Sequence, residues 1–111
     1  MMSESVGVVV IGRNEGERLK KCLYSIDKGS YTAVYVDSGS SDKSVEFAKK
    51  LGINVHELDM NKPFTAARAR NQGFKALLAI SPKIKYVQFI DGDCEVVDGW
   101  FEHALSTFFE I

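Results

Sequence analysis

The chain alternates two kinds of apolar patterning. Short runs dense in β-branched and aromatic residues are separated by stretches whose apolar residues return at helical spacing. Val6-Gly7-Val8-Val9-Val10-Ile11 is nearly continuous, as expected of a strand covered on both faces. Leu19, Cys22, Leu23 and Ile26 then predict a helix over Glu15 to Ile26. Tyr31 to Val36 reads as a second strand running into Asp37. Ser41 or Asp42 is placed to cap a helix to Leu51, built on Val45, Phe47, Ala48 and Leu51 and stopped by Gly52. Ile53 to Leu58 is a third, weaker strand. Pro63 or a neighbour opens a helix carrying Ala66, Ala67, Phe74, Leu77 and Leu78, with Pro82 beyond its end. Tyr86 to Ile90 is the fourth strand, and Asp98 looks like the cap of a last helix with Trp100, Phe101, Leu105 and Phe108.

Strands alternating with helices in this way predict an α/β fold, a Rossmann-like three-layer α/β/α arrangement with a mostly parallel sheet of about four strands. Ligands of such sheets sit outside the carboxyl ends of the strands, where the winding reverses. Polar residues cluster at those ends: Gly12-Arg13-Asn14-Glu15 after the first strand, Asp37-Ser38-Gly39-Ser40-Ser41-Asp42 after the second, and Asp91-Gly92-Asp93 after the fourth. All three fall on one predicted edge. The last is the most pointed, because paired carboxylates are the hard oxygen ligands that Mg²⁺ or Mn²⁺ prefers, and the glycine between them lets a ligand approach the backbone.

Composition narrows the function classes. One hundred and eleven residues make a single domain over 1–111, with ordinary apolar (45%) and charged (26%) fractions for a soluble protein. A net charge of -1 gives no broad basic surface, so no nucleic-acid partner is expected. No apolar run approaches a membrane span, and Met1-Met2-Ser3-Glu4-Ser5 lacks a signal-peptide pattern. Cys22 and Cys94 both read as inert, packed thiols, and a cytoplasmic setting is expected.

Four stretches, in order, carry a resemblance that spans nearly the whole chain. They are Val8 to Glu15, Val36 to Asp42, Ala67-Arg68-Ala69-Arg70-Asn71-Gln72-Gly73, and Phe89 to Asp93. Together they resemble the N-terminal, nucleotide-binding half of the family 2 glycosyltransferases of the GT-A fold. The resemblance implies a nucleotide-diphosphate sugar as donor, most often a UDP-sugar, and a divalent cation, Mn²⁺ or Mg²⁺, bridging its diphosphate to the acidic triplet. It implies that Asn14 and Glu15 line the base and ribose end, that Asp37 accepts the ring N–H of the base, and that Arg70 reaches toward the nucleotide. It also implies that Asp91 contacts ribose, that Asp93 is the metal ligand, and that Asp91 shares that duty.

Family members are longer, and the additional part supplies the acceptor pocket and the base that deprotonates the acceptor, so no catalytic residue is assigned. The chain is expected to be truncated relative to the full catalytic domain. Its apolar end, Phe108-Phe109-Glu110-Ile111, is a candidate for self-association. The alternative function is a non-catalytic nucleotide-binding or self-associating module that keeps the fold. Simpler structural duties compete for several residues. Asp37 to Asp42 also makes a good turn and cap, and Asn14 or Glu15 suits a helix start. Arg68 and Arg70 are two apart on a helix and point apart, so one is expected in the site and the other in solvent. His56 and His103 are expected to be ordinary, and Trp100, Phe101, Phe108 and Phe109 to be core.

Overall fold

Val6–Gly12 forms β1, and its valines are buried on both faces, the condition for the middle of a parallel sheet. Val6, Val8 and Val10 belong to one apolar cluster, while Val9 and Ile11 belong to another on the opposite face. The computed structural model describes residues 6–27, 31–97, 99 and 100. After β1 come α1 (Glu17–Asp27), β2 (Thr32–Asp37), α2 (Ser44–Lys50), β3 (Asn54–Glu57), α3 (Ala66–Ile80) and β4 (Tyr86–Asp91). All strand pairs are parallel, and the order across the sheet is β3-β2-β1-β4. The chain winds outward through β2 to β3, then crosses back to lay β4 on the far side of β1. The winding therefore reverses between β1 and β4.

Helices cover both faces, giving the three layers expected. Leu19, Cys22, Leu23 and Ile26 of α1 and Ala48 of α2 pack with Val6, Val8, Val10, Ala33 and Tyr35. Burying each such Leu or Ile contributes about 1.5–3 kcal/mol, so packing rather than intrinsic propensity holds this 11-residue helix. On the other face, Ala69 and Leu77 of α3 pack with Val9, Val34, Val36 and Leu58. Gly73 sets how close α3 lies to the sheet: a Cβ there would stand 2.4 Å from Val9 Cγ1 and 2.8 Å from Val36 Cγ2.

Several boundaries differ from the sequence reading for identifiable reasons. α1 begins at Glu17 rather than Glu15, because Asn14 (φ 50°) and Gly16 (φ 57°) are left-handed and cannot continue a helix backward. Of Pro63 and its neighbours, Thr65 opens α3: its hydroxyl accepts the Arg68 N–H at 3.0 Å. Asp42 does receive the first amide of α2, from Ser44 at 2.9 Å, and Gly52 (φ 85°) ends that helix. Trp100 is not core; it is half-exposed, with its indole N–H donated to Gln88 Oε1 at 3.3 Å. The rest of the predicted last helix, His103 and the end at Phe108 to Ile111 lie outside the described residues. No helix among the described residues is long and apolar enough to cross a membrane.

Candidate functional site

Parallel register aligns the carboxyl ends of three strands. Gly12 pairs with Asp37 on one side of β1, and Ile11 pairs with Asp91 on the other. The loops beyond are stitched to the same rim: Ser38 donates its N–H to the Gly12 carbonyl at 3.0 Å, and Gly92 donates to the Ile11 carbonyl at 2.8 Å. Asn14, Glu15, Asp37, Asp91 and Asp93, dispersed along the chain, therefore meet at one edge, where the winding reverses.

The β2 side of this rim is a closed hydrogen-bond network. Asp37 is only 2% exposed. Its Oδ1 accepts from the Tyr35 hydroxyl and the Ser40 hydroxyl, both at 2.6 Å, and its Oδ2 accepts the Ser40 amide at 2.8 Å. Residues two apart on a strand share a face, which is how Tyr35 reaches Asp37. Burial, and then the bond to Asp37, push the Tyr35 phenol up, so it stays a donor. Asn14 bolts the first loop to the second: Oδ1 accepts the amides of Ser41 (2.8 Å) and Asp42 (3.1 Å), while its own N–H donates to Ser40 Oγ at 2.9 Å. Asn14 thus caps the second loop rather than its own helix, and Asp37 shapes a turn.

The β4 side is open. The Asp91 and Asp93 side chains are exposed on either side of buried Gly92. Arg70 Nη2 lies 3.9 Å from Asp91 Oδ1, a solvated pair of the kind that adds little stability. Glu15 is half-buried and pairs with Arg18 at 3.2 Å. Its Cγ lies 3.3 Å from where a Cβ on Gly12 would sit and 3.4 Å from one on Gly92, so its stem fills the gap between the two loops. A cavity of about 480 Å³ adjoins this corner, lined among others by Arg70, Gln88, Asp91, Glu95 and Trp100. Cys94 is exposed, contrary to the packed position expected of it. Partial loss of water around its sulfur and the neighbouring carboxylate of Asp93 push its thiol up, so less of it is ionised than in an ordinary cysteine. Cys22 is buried as expected, its thiol is pushed up to about 12 chiefly by burial, and its sulfur sits 3.9 Å from the Asp91 carbonyl.

Among the described residues, no three His, Cys, Asp or Glu side chains gather as a protein-only metal cage. Two exposed carboxylates flanking a glycine instead suit a cation that takes its remaining ligands from phosphate and water, as Mg²⁺ does. Arg68 and Arg70 do diverge, but Arg68 is not a free solvent charge. Its guanidinium donates to the carbonyls of Asp59 (2.6 Å), Pro63 (3.3 Å) and Lys62 (3.4 Å). His56 lies on β3 opposite Val36. Tyr35, Ser40 and Arg68 are the participants that the sequence reading missed. Period-two spacing could have exposed Tyr35; the loop carbonyls that Arg68 gathers leave no mark in the sequence.

Comparison with known proteins adds a second line of support. Residues 7–110 match the model of glycosyl transferase family 2. An uncharacterized protein of Methanocaldococcus jannaschii is 39% identical over 72% of this chain and 36% of its own length. Glycosyltransferase AglE of Haloferax volcanii is 30% identical over 92% of this chain and 34% of its own. The 4,4'-diaponeurosporenoate glycosyltransferase of Staphylococcus haemolyticus is 26% identical over 95% of this chain and 28% of its own. The chain spans about a third of the length of these curated relatives.

Proposed function

The chain belongs to glycosyl transferase family 2, and from that premise we propose that its rim binds a nucleotide-diphosphate sugar, a UDP-sugar first of all, for inverting transfer to an acceptor hydroxyl. Asp91 and Asp93 would hold Mn²⁺ or Mg²⁺ at this corner. Bound there, the cation offsets the negative charge that builds on the departing diphosphate. Arg70, beside Asp91, adds a positive charge at the same corner and orients the phosphates. Asn14 and Glu15 border the base and ribose, and Asp91 accepts from a ribose hydroxyl. Asp37 keeps one unused lone-pair site on Oδ2 after its three internal bonds, and that site receives the ring N–H of the base. The reduced thiols fit a cytoplasmic setting.

One observation carries this reading: three polar loops, separated along the chain by at least a helix and a strand each, converge where the sheet's winding reverses. Calorimetric titration with UDP, GDP and their sugars, with and without Mn²⁺, tests it. Binding that strengthens with Mn²⁺ is expected. Absence of any nucleotide binding at millimolar Mn²⁺ would remove the proposal. A non-catalytic binding module is the second reading, favoured by how fully Asp37 is engaged within its own turn. The two part on turnover: only the enzyme releases UDP from a UDP-sugar.

A further inference from the structure

The loop between β3 and α3 carries an exposed apolar side chain that the fold itself does not require. Met60 is 41% exposed, yet it is not loose on the surface. It lies against Gly39, in the turn that Asp37 organises: a Cβ at Gly39 would meet Met60 Cγ at 3.1 Å and both its Sδ and Cε at 3.6 Å. Gly39 has φ 79°, so this turn presents bare backbone there. The loop behind Met60 is held from two sides. Asp59 Oδ1 accepts the Asn61 amide at 2.9 Å, closing a tight turn around Met60. Arg68, from the first turn of α3, donates to the carbonyls of Asp59, Lys62 and Pro63, on both sides of that turn. One more stitch joins this loop to the rim, since the Leu58 N–H donates to the Asp37 carbonyl at 2.9 Å.

We infer that Met60, seated on Gly39 and held by the Arg68-clamped loop, supplies the apolar face against which the donor's nucleobase lies. This rests on the donor-site reading above. A base has two kinds of surface, a polar edge and an apolar aromatic face. The Asp37 turn can serve the edge, but it is built from carboxylate, hydroxyls and backbone amides. A thioether is polarizable and conformationally adaptable, and it makes favourable contacts with aromatic rings. Met60 lies against Gly39, two residues beyond Asp37 in the same turn, with such a group already in place. Met60 is therefore a specificity-determining residue of the site, and Arg68 a positioning residue that acts through it.

The test compares ligands with and without a base. UDP and inorganic pyrophosphate, each with Mn²⁺, are titrated against the whole chain, Met60→Ala, Arg68→Gln and the double variant. UDP affinity is expected to fall roughly 2- to 10-fold in Met60→Ala, the range of a sulfur–aromatic contact, with pyrophosphate unchanged. Arg68→Gln should lose UDP affinity in the same sense, and the double variant should lose no more than Met60→Ala alone. Non-additivity is the readout that a merely structural Arg68 would not give. Equal UDP affinity in the parent and Met60→Ala, with the parent binding well, overturns this inference and leaves the donor site standing. Parallel loss of UDP and pyrophosphate also overturns it, because the effect would then not concern the base. A parent that binds neither ligand overturns both readings.

Discussion

The two halves of the rim are built on opposite plans. Beside β2, Asp37 is buried and bonded to Tyr35 and Ser40, and Asn14 ties that turn to the neighbouring loop. Beside β4, Asp91 and Asp93 project into solvent with one long ion pair and one weak thiol contact between them. Like charges in the same rim thus have different duties. A carboxylate that satisfies buried donors owes most of its lone pairs to the fold, one Oδ2 site of Asp37 excepted, and removing it strands those donors. An exposed carboxylate next to another costs the fold little and keeps its lone pairs for a ligand. Carboxylate count alone does not distinguish these cases; the partners do.

The largest expected effect comes from breaking the committed half. Asp37→Ala leaves the Tyr35 hydroxyl and Ser40 amide without their acceptor and should cost about 3 kcal/mol of stability, read by urea unfolding. Loss under about 0.5 kcal/mol, the range of an ordinary surface change, would erase the contrast. Asp93→Ala should do the reverse. Its unfolding midpoint should match the parent's, while Mn²⁺ affinity in the presence of UDP falls at least about 100-fold; unchanged metal dependence would remove Asp93 from the site. Asn14 offers a finer cut, because its bonds and its left-handed backbone can be separated. Asn14→Ala should destabilise by about 1–2 kcal/mol more than Asn14→Gly, since glycine accepts φ 50° without strain. Equal costs would mean that the bonds to Ser41 and Asp42 alone matter.

The smallest effect concerns alkaline pH. The Cys22 thiol sits at about 12 in the folded chain against 9.0 for the reference thiol. Below pH 9 the group is protonated in both states and its contribution is constant. Between pH 9 and about 12 the unfolded chain releases the proton first, so stability falls through that window. Tyr35, pushed up in the same direction, loses stability above its own ordinary value too. A Cys22→Ala variant should therefore show a shallower decline in unfolding free energy from pH 9 upward, and identical slopes would count against the buried-thiol account.

Much of the fold was readable because its cause is local and periodic. The valine run of β1, the helical spacing of Leu19, Cys22, Leu23 and Ile26, and Gly52 after α2 each name an element through its packing or its stop. The convergence of the three loops was readable too, since parallel strands place every carboxyl end on one edge. What escaped reading depends on bonds between distant segments. Asn14 reaches amides 27 and 28 residues away, so nothing near it in the sequence marks it as the tie between the two loops. Arg68 looked like the solvent-facing member of its pair because carbonyl acceptors belong to every residue type. Trp100 looked like core, since an indole bonded to Gln88 and one packed in an interior share the same apolar spacing.

The missing side chain at Gly73 reaches further than its own contacts. Arg70 sits one turn earlier on the same rigid rod, so the depth at which that rod beds on Val9 and Val36 also fixes where the guanidinium hovers relative to Asp91. A single added methyl would act as a shim. It would jack α3 off its seat and carry the cation away from its carboxylate, mis-setting the chemistry from a position that touches neither.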